Sequence, residues 1–237
     1  MPKQLLVEVW SDIACPWCYV GKRRLEGALA RFEHREDVRV VWRSFELDRS
    51  APRERERTPS YAARLAKKYG MSEAQAQAMI DRLVGVAAEA GLAFDFERIR
   101  PGNTFDAHRL LHLAARRGKQ GALKERLLRA YLCEGEPIGN VETLQRLGTE
   151  EGLDGDELAA LLASDLHADE VRADQREAQA LGIEGVPFFL LARRHALSGA
   201  QPAELLLEAL TKAWHELPEL TALPTAEGPV CGPEGCA

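Results

Sequence analysis

Cys15 and Cys18, separated by Pro16 and Trp17, are the residues whose type and spacing most narrow the chemistry of this chain. Two thiols two residues apart at the start of a helix can cycle between dithiol and disulfide with little backbone movement. A helix N-terminus carries partial positive charge and unpaired N–H groups. A thiolate at Cys15 is therefore favoured and becomes nucleophilic near neutral pH. Cys18, one turn deeper, is expected to be more buried and to resolve a mixed disulfide. Pro16 suits an early helical position, because the N–H it lacks would have no intrahelical partner there. A structural cysteine pair or half of a zinc site uses the same spacing. The strand-to-helix context favours redox chemistry.

A second pair, Cys231 and Cys236, closes the chain with Gly232, Pro233, Glu234 and Gly235 between them. Both thiols are expected to be exposed, and the intervening chain is long enough to return to Cys15. Exchange with the first pair is the sharper reading. An inert or metal-binding tail is the other, and a four-thiol zinc site joining the two pairs is the weakest, so no metal is expected. Cys133 reads as an inert thiol near a helix end. His108 and His112 lie four apart on one helix face, without HExxH or an obvious third ligand; they read as helix surface or polar lining. The run Lys22-Arg23-Arg24 reads as a solvated helix face.

The elements that must position these residues alternate at first and then turn helical. Leu5 to Trp10 is expected as a buried strand, Pro16 to Phe32 as a helix and Val38 to Phe45 as a second strand, one βαβ unit. Arg49 to Pro59 is charged, contains prolines and reads as loop. From about Ser60 to Ala180 nearly every segment carries helical periodicity, and Asn103-Thr104 is a candidate cap. Strand character returns at Val186 to Leu191 and around Ala196 to Ser198. A last helix carries Leu205, Leu206, Leu210 and Trp214, with Pro202 in its first turn. After Trp214, proline and glycine predict a flexible tail without helix or strand.

The 237 residues are enough for one large core. A hydrophobic fraction of 46% and a charged fraction of 29% are those of a soluble globular protein. A net charge of -6 argues against nucleic acid or an anionic membrane as the main partner. No apolar run approaches the ~20 residues that span a bilayer. Glu8 and Asp12 interrupt any signal-peptide core, so a cytoplasmic location is expected.

The order of elements, with Cys15-Pro16-Trp17-Cys18 early and Gly185-Val186-Pro187 late, resembles the thioredoxin fold with a DsbA-type helical insertion. The resemblance spans about residues 4–215. It implies an α/β protein with a discontinuous thioredoxin-fold domain (1–48 and 181–215), a helical insertion domain (49–180) and a tail (216–237). It further implies a cis Val186–Pro187 bond against the active-site cysteines, shaping a peptide groove. Ser11-Asp12, the stretch from Cys15 to Gly21, Asn103-Thr104, Ala107-His108-Arg109 and the stretch from Gly185 to Phe189 are similar to the FrnE branch. That branch includes 2-hydroxychromene-2-carboxylate isomerases and kappa-class glutathione transferases, which carry serine where this chain has Cys15. The resemblance also gives His108 a place near the pocket.

The resulting expectation is a thiol–disulfide oxidoreductase with reductase and isomerase modes on protein substrates. Cys15 attacks, Cys18 resolves, Trp17 gives apolar cover and no cofactor is needed. Glutathione or a thioredoxin-type protein is the candidate reductant. With no histidine between the cysteines, the couple is expected to be less oxidising than that of periplasmic DsbA. Two other readings stand: a glutathione-dependent small-molecule isomerase or transferase, and a redox-sensing or metal-holding chaperone or binding module.

Overall fold

The computed structural model describes residues 3–54, 60–218, 231–232 and 235–236. Strand β1 (Leu5–Ser11) leads into helix α1 (Pro16–Arg31), and β2 (Val38–Ser44) follows. Among the described residues, seven α-helices then come before the chain returns to a strand. They are α2 (Tyr61–Tyr69), α3 (Glu73–Glu89), α4 (Phe105–Arg116), α5 (Gln120–Leu132), α6 (Val141–Glu150), α7 (Gly155–Leu162) and α8 (Ala168–Ala180). The hairpin of β3 (Phe188–Leu191) and β4 (His195–Ser198) precedes α9 (Ala203–His215). The sheet order is β2-β1-β3-β4, with β1 parallel to β2 and antiparallel to β3.

The two faces of β1 are covered differently. Leu5, Val7 and Val9 pack with Leu25 and Ala28 of α1 and with Leu206 and Leu210 of α9. Trp10, on the opposite face, packs with Ala178, Ile183 and Leu190. A larger core formed by the helices from α3 to α7 reaches back to Ile13, Tyr19 and Val20 beside the cysteines. The edge strand β2 is not left open. Gln120 accepts from the Trp42 N–H at 3.0 Å and donates to the Trp42 carbonyl at 2.9 Å. Asp174 accepts from the Ser44 N–H at 2.8 Å. These side chains satisfy an edge that would otherwise invite another strand, and they tie α5 and α8 to the sheet.

Three expectations are corrected. Lys22-Arg23-Arg24 is not a solvated face: Lys22 is buried, its Nζ 2.6 Å from Glu125 Oε2, and Arg23 joins the same carboxylate. Pro202 stands just before α9 as its N-cap rather than in its first turn. The tail, expected to lack strand, pairs Cys231–Gly232 with Gly235–Cys236 in antiparallel register, Cys231 opposite Cys236. Paired glycines put little steric hindrance in the way of such a short ladder. The rest of the tail beyond residue 218, and residues 55–59 of the expected loop, lie outside the described residues.

Candidate active site

The end of β1 delivers Ser11 and Asp12 to the start of α1, where Cys15 is the N-cap and Pro16 the first helical residue. Cys15 makes no side-chain cap, so its sulfur is free to face outward from the helix. Its Sγ donates to the Val186 carbonyl at 3.5 Å. The Val186–Pro187 bond is cis. Gly21, one turn into α1, lets Pro187 come close: a Cβ there would stand 2.9 Å from Pro187 Cγ. Cys15 retains 5% of its surface and Cys18 none, and both are free thiols. Trp17 is 42% exposed beside them, whereas Pro16 and Pro187 are buried and Val186 is half-buried.

Behind the sulfurs the site is closed and charged. Lys124 of α5 is fully buried, with its Nζ 3.4 Å from the Ser11 carbonyl and over the Trp42 ring. Burial brings its pKa down to about 8, although the neighbouring Cys18 and Asp12 oppose that shift. Burial alone would raise Cys18. A hydrogen bond from Cys15, the Lys124 ammonium, the Ser11 hydroxyl and the Asp12 N–H outweigh it and hold Cys18 below the ordinary thiol range. Cys15, hydrogen-bonded to Cys18 and desolvated, is held well above that range. The two thiols titrate as one unit. After the Cys15 hydrogen bond, the Lys124 ammonium is the next influence favouring charge at the inner sulfur.

Asp12 and His108 complete the rear wall. Asp12 accepts from the Leu47 N–H at 2.8 Å and lies 3.3 Å from His108 Nε2. Burial pushes the Asp12 carboxyl up, but bonds from His108, Leu47 and Thr104 leave it below the ordinary carboxylate range. Burial likewise lowers His108, so its imidazole is neutral near pH 7. His108 is therefore buried beside the redox pair, not on a helix surface. His112, its helix neighbour, turns instead to Ser44 and Asp174.

Lys124 is the residue that the sequence did not single out. It follows Leu123 in an otherwise ordinary helical stripe, and no local signal distinguishes it from a surface lysine. Cys133 is half-buried at the end of α5, with burial raising its thiol. Among the described residues, no cluster of three or more His, Cys, Asp or Glu could hold a metal ion. The side chains of Cys231 and Cys236 lie outside the described part.

This geometry has close relatives. A probable DsbA oxidoreductase from Streptomyces coelicolor is 48% identical, covers 99% of each chain and superposes with a TM-score of 0.86. A 2-hydroxychromene-2-carboxylate isomerase shares the fold at 16% identity, with 87% and 95% of the two chains covered and a TM-score of 0.64. The cytosolic disulfide reductase DsbM of Pseudomonas aeruginosa, solved with glutathione, shares it at 20% identity, 89% and 96% coverage and a TM-score of 0.57. Residues 6–211 match the DSBA-like thioredoxin domain, a span that takes in the sheet, every helix up to α8 and most of α9, and the chain belongs to that family.

Proposed function

We propose that the chain is a thiol–disulfide oxidoreductase acting on cysteines of protein substrates, as reductase or isomerase. One observation carries the reading. Of two free thiols at one helix start, Cys15 faces the Val186 carbonyl and keeps a small exposed surface, while Cys18 has none and lies beside a buried ammonium. An outer sulfur that can meet a substrate and an inner one that cannot is the division of labour that disulfide exchange needs. As Cys15 attacks a substrate disulfide, its proton passes to the Cys18 thiolate. A bond forms between Cys15 and one substrate sulfur, and the electron pair of the broken bond leaves with the other. Cys18 then loses the proton and attacks Cys15, releasing reduced substrate. In the isomerase mode a substrate thiol displaces Cys15 first.

Trp17 and Val186 form the rim where a substrate would sit, and Pro187 backs it. A cytoplasmic location and re-reduction by glutathione or a thioredoxin-type protein belong to the same reading. The likeness to a cytosolic reductase solved with glutathione supports it at the level of fold. The tail pair belongs to it as well: its register sets Cys231 opposite Cys236, and exchange with Cys15–Cys18 is its proposed role.

Insulin reduction and refolding of scrambled ribonuclease, with glutathione or a dithiol as electron source, test the proposal. Turnover that is lost in Cys15→Ser is the expected result. Turnover of an aromatic small molecule with glutathione, alongside inactivity on both proteins, would replace it by the isomerase or transferase reading. That second reading has the shared fold of the 2-hydroxychromene-2-carboxylate isomerase in its favour and Cys15 against it.

A further inference from the structure

Resolution requires Cys18 to give up a proton, and reduction requires it to take one back, yet Cys18 has no surface of its own. The same wall contains three buried polar side-chain atoms with no hydrogen-bond partner among the described residues: Ser11 Oγ, His108 Nδ1 and Glu46 Oε1. Such orphans are rare in folded proteins, and a buried water is the usual partner. The His108 and Glu46 side chains flank one anchor. Asp12 contacts His108 through Oδ1 and the N–H of Leu47, the neighbour of Glu46, through Oδ2. The other oxygen of Glu46 accepts from Arg172 Nη1 and from Gln175 Nε2, both at 2.6 Å. The Arg172 side chain is 42% exposed. A line of polar groups thus runs from the cysteines to solvent.

We propose that His108 and Glu46, joined through one buried water between Nδ1 and Oε1, relay protons between solvent and the closed end of the cysteine site. The relay deepens the oxidoreductase reading and rests on it. When a dithiol reduces the Cys15–Cys18 bond, its thiolate attacks Cys15 and the electron pair of the broken S–S bond stays on Cys18. The neutralising proton enters from the Glu46 side. The water protonates Nδ1, the Nε2 proton moves to the Asp12 carboxylate, and that carboxylate, close enough to act on Cys15, hands it to the thiol pair. Outward transfer reverses the same hops. The charged groups that face His108 are Asp12 from the loop after β1, Lys124 from α5 and Glu46 from the segment after β2.

A pH jump on the reduced full-length protein, followed by ultraviolet thiolate absorbance, reads this route without any substrate. Relaxation slowed at least about tenfold in His108→Gln and in Glu46→Gln is the expected result, the size of a lost positioned proton carrier. Unchanged relaxation in both variants overturns the relay. So does a high-resolution crystal structure with Nδ1 and Oε1 more than about 6 Å apart, too far for one shared water. If Glu46→Gln fails to fold, His108→Gln and the crystal structure decide. Absence of insulin reduction with normal relaxation would instead count against the oxidoreductase reading and leave the relay standing.

Discussion

The two faces of β1 are equally sealed and chemically opposite. Val7 and Val9 on one side, and Glu8 and Trp10 on the other, have no exposed surface. The apolar face meets α1 and α9 and gains simply by leaving water. The other face must compensate each charge it buries. Glu8 accepts from Arg43 Nε at 2.9 Å and from Arg193 Nη1 at 2.9 Å. Further along, Asp12 meets His108, and Lys124 sits beside Cys18 as well as the Asp12 carboxylate. One side of the strand holds the fold together. The other sets the electrostatics of Cys15 and Cys18.

The comparison breaks most visibly at the sulfurs. Cys15→Ser is expected to abolish turnover, and Cys18→Ser to retain attack and accumulate mixed disulfides with substrate. Non-reducing electrophoresis after acid quenching separates the two. Normal turnover in Cys15→Ser would reverse the assignment of outer and inner thiol. On the apolar face, Leu210→Ala deletes part of a fully buried side chain. Its cost is expected at about 2–5 kcal/mol, the range for buried leucine. Iodoacetamide reactivity of the folded variant should match the parent at every pH. A changed reactivity profile would show that the apolar face also tunes the thiols.

Lys124→Met sharpens the contrast from the charged side. The ammonium has an ordinary pKa of 10.5 and is brought to about 8 by burial. Between those values the unfolded chain holds the proton and the folded protein has lost it, so stability contributed by this group rises with pH. Below about pH 8 both states are charged, and burial of the ammonium costs at most a few kcal/mol. Denaturation of the reduced proteins should therefore show a rise with pH across this window that the methionine variant lacks. The variant should also lose thiolate near neutral pH, because Cys18 no longer faces a cation. A variant with unaltered thiol titration would remove Lys124 from the site.

Much of this was legible locally, and the misses share one cause. The Cys-Pro-Trp-Cys stretch, the strand before it and the periodic helices declare themselves within a few residues, because spacing along the chain decides them. Lys22 reads as exposed, and His108 as helix surface or polar lining, for the same reason: on their own helices they look like polar-face residues. Only the approach of α5 to α1 gives Lys22 the carboxylate of Glu125. Only the packing of α4 behind the β1–α1 loop buries His108 against Asp12. Lys124 and Glu46 carried no local signal at all. Buried charges are fixed by partners far away in sequence, so pattern alone assigns them to water.

The smallest expected effect concerns His108 and acid. Burial holds its imidazole below the ordinary value of 6.5, against the opposing pull of Asp12 and Glu46. As the pH falls through 6.5 the unfolded chain takes up a proton that the folded protein refuses, and stability drops. Asp12, held below its ordinary value of 3.8, keeps its own contribution until the pH nears that figure, so the two windows do not overlap. Urea denaturation of wild type and His108→Gln between neutral pH and about pH 5 isolates the histidine. The glutamine variant has nothing to titrate there and should give the flatter profile. Parallel profiles would mean that His108 protonates as readily folded as unfolded, and that the charged face tolerates a second cation beside Lys124.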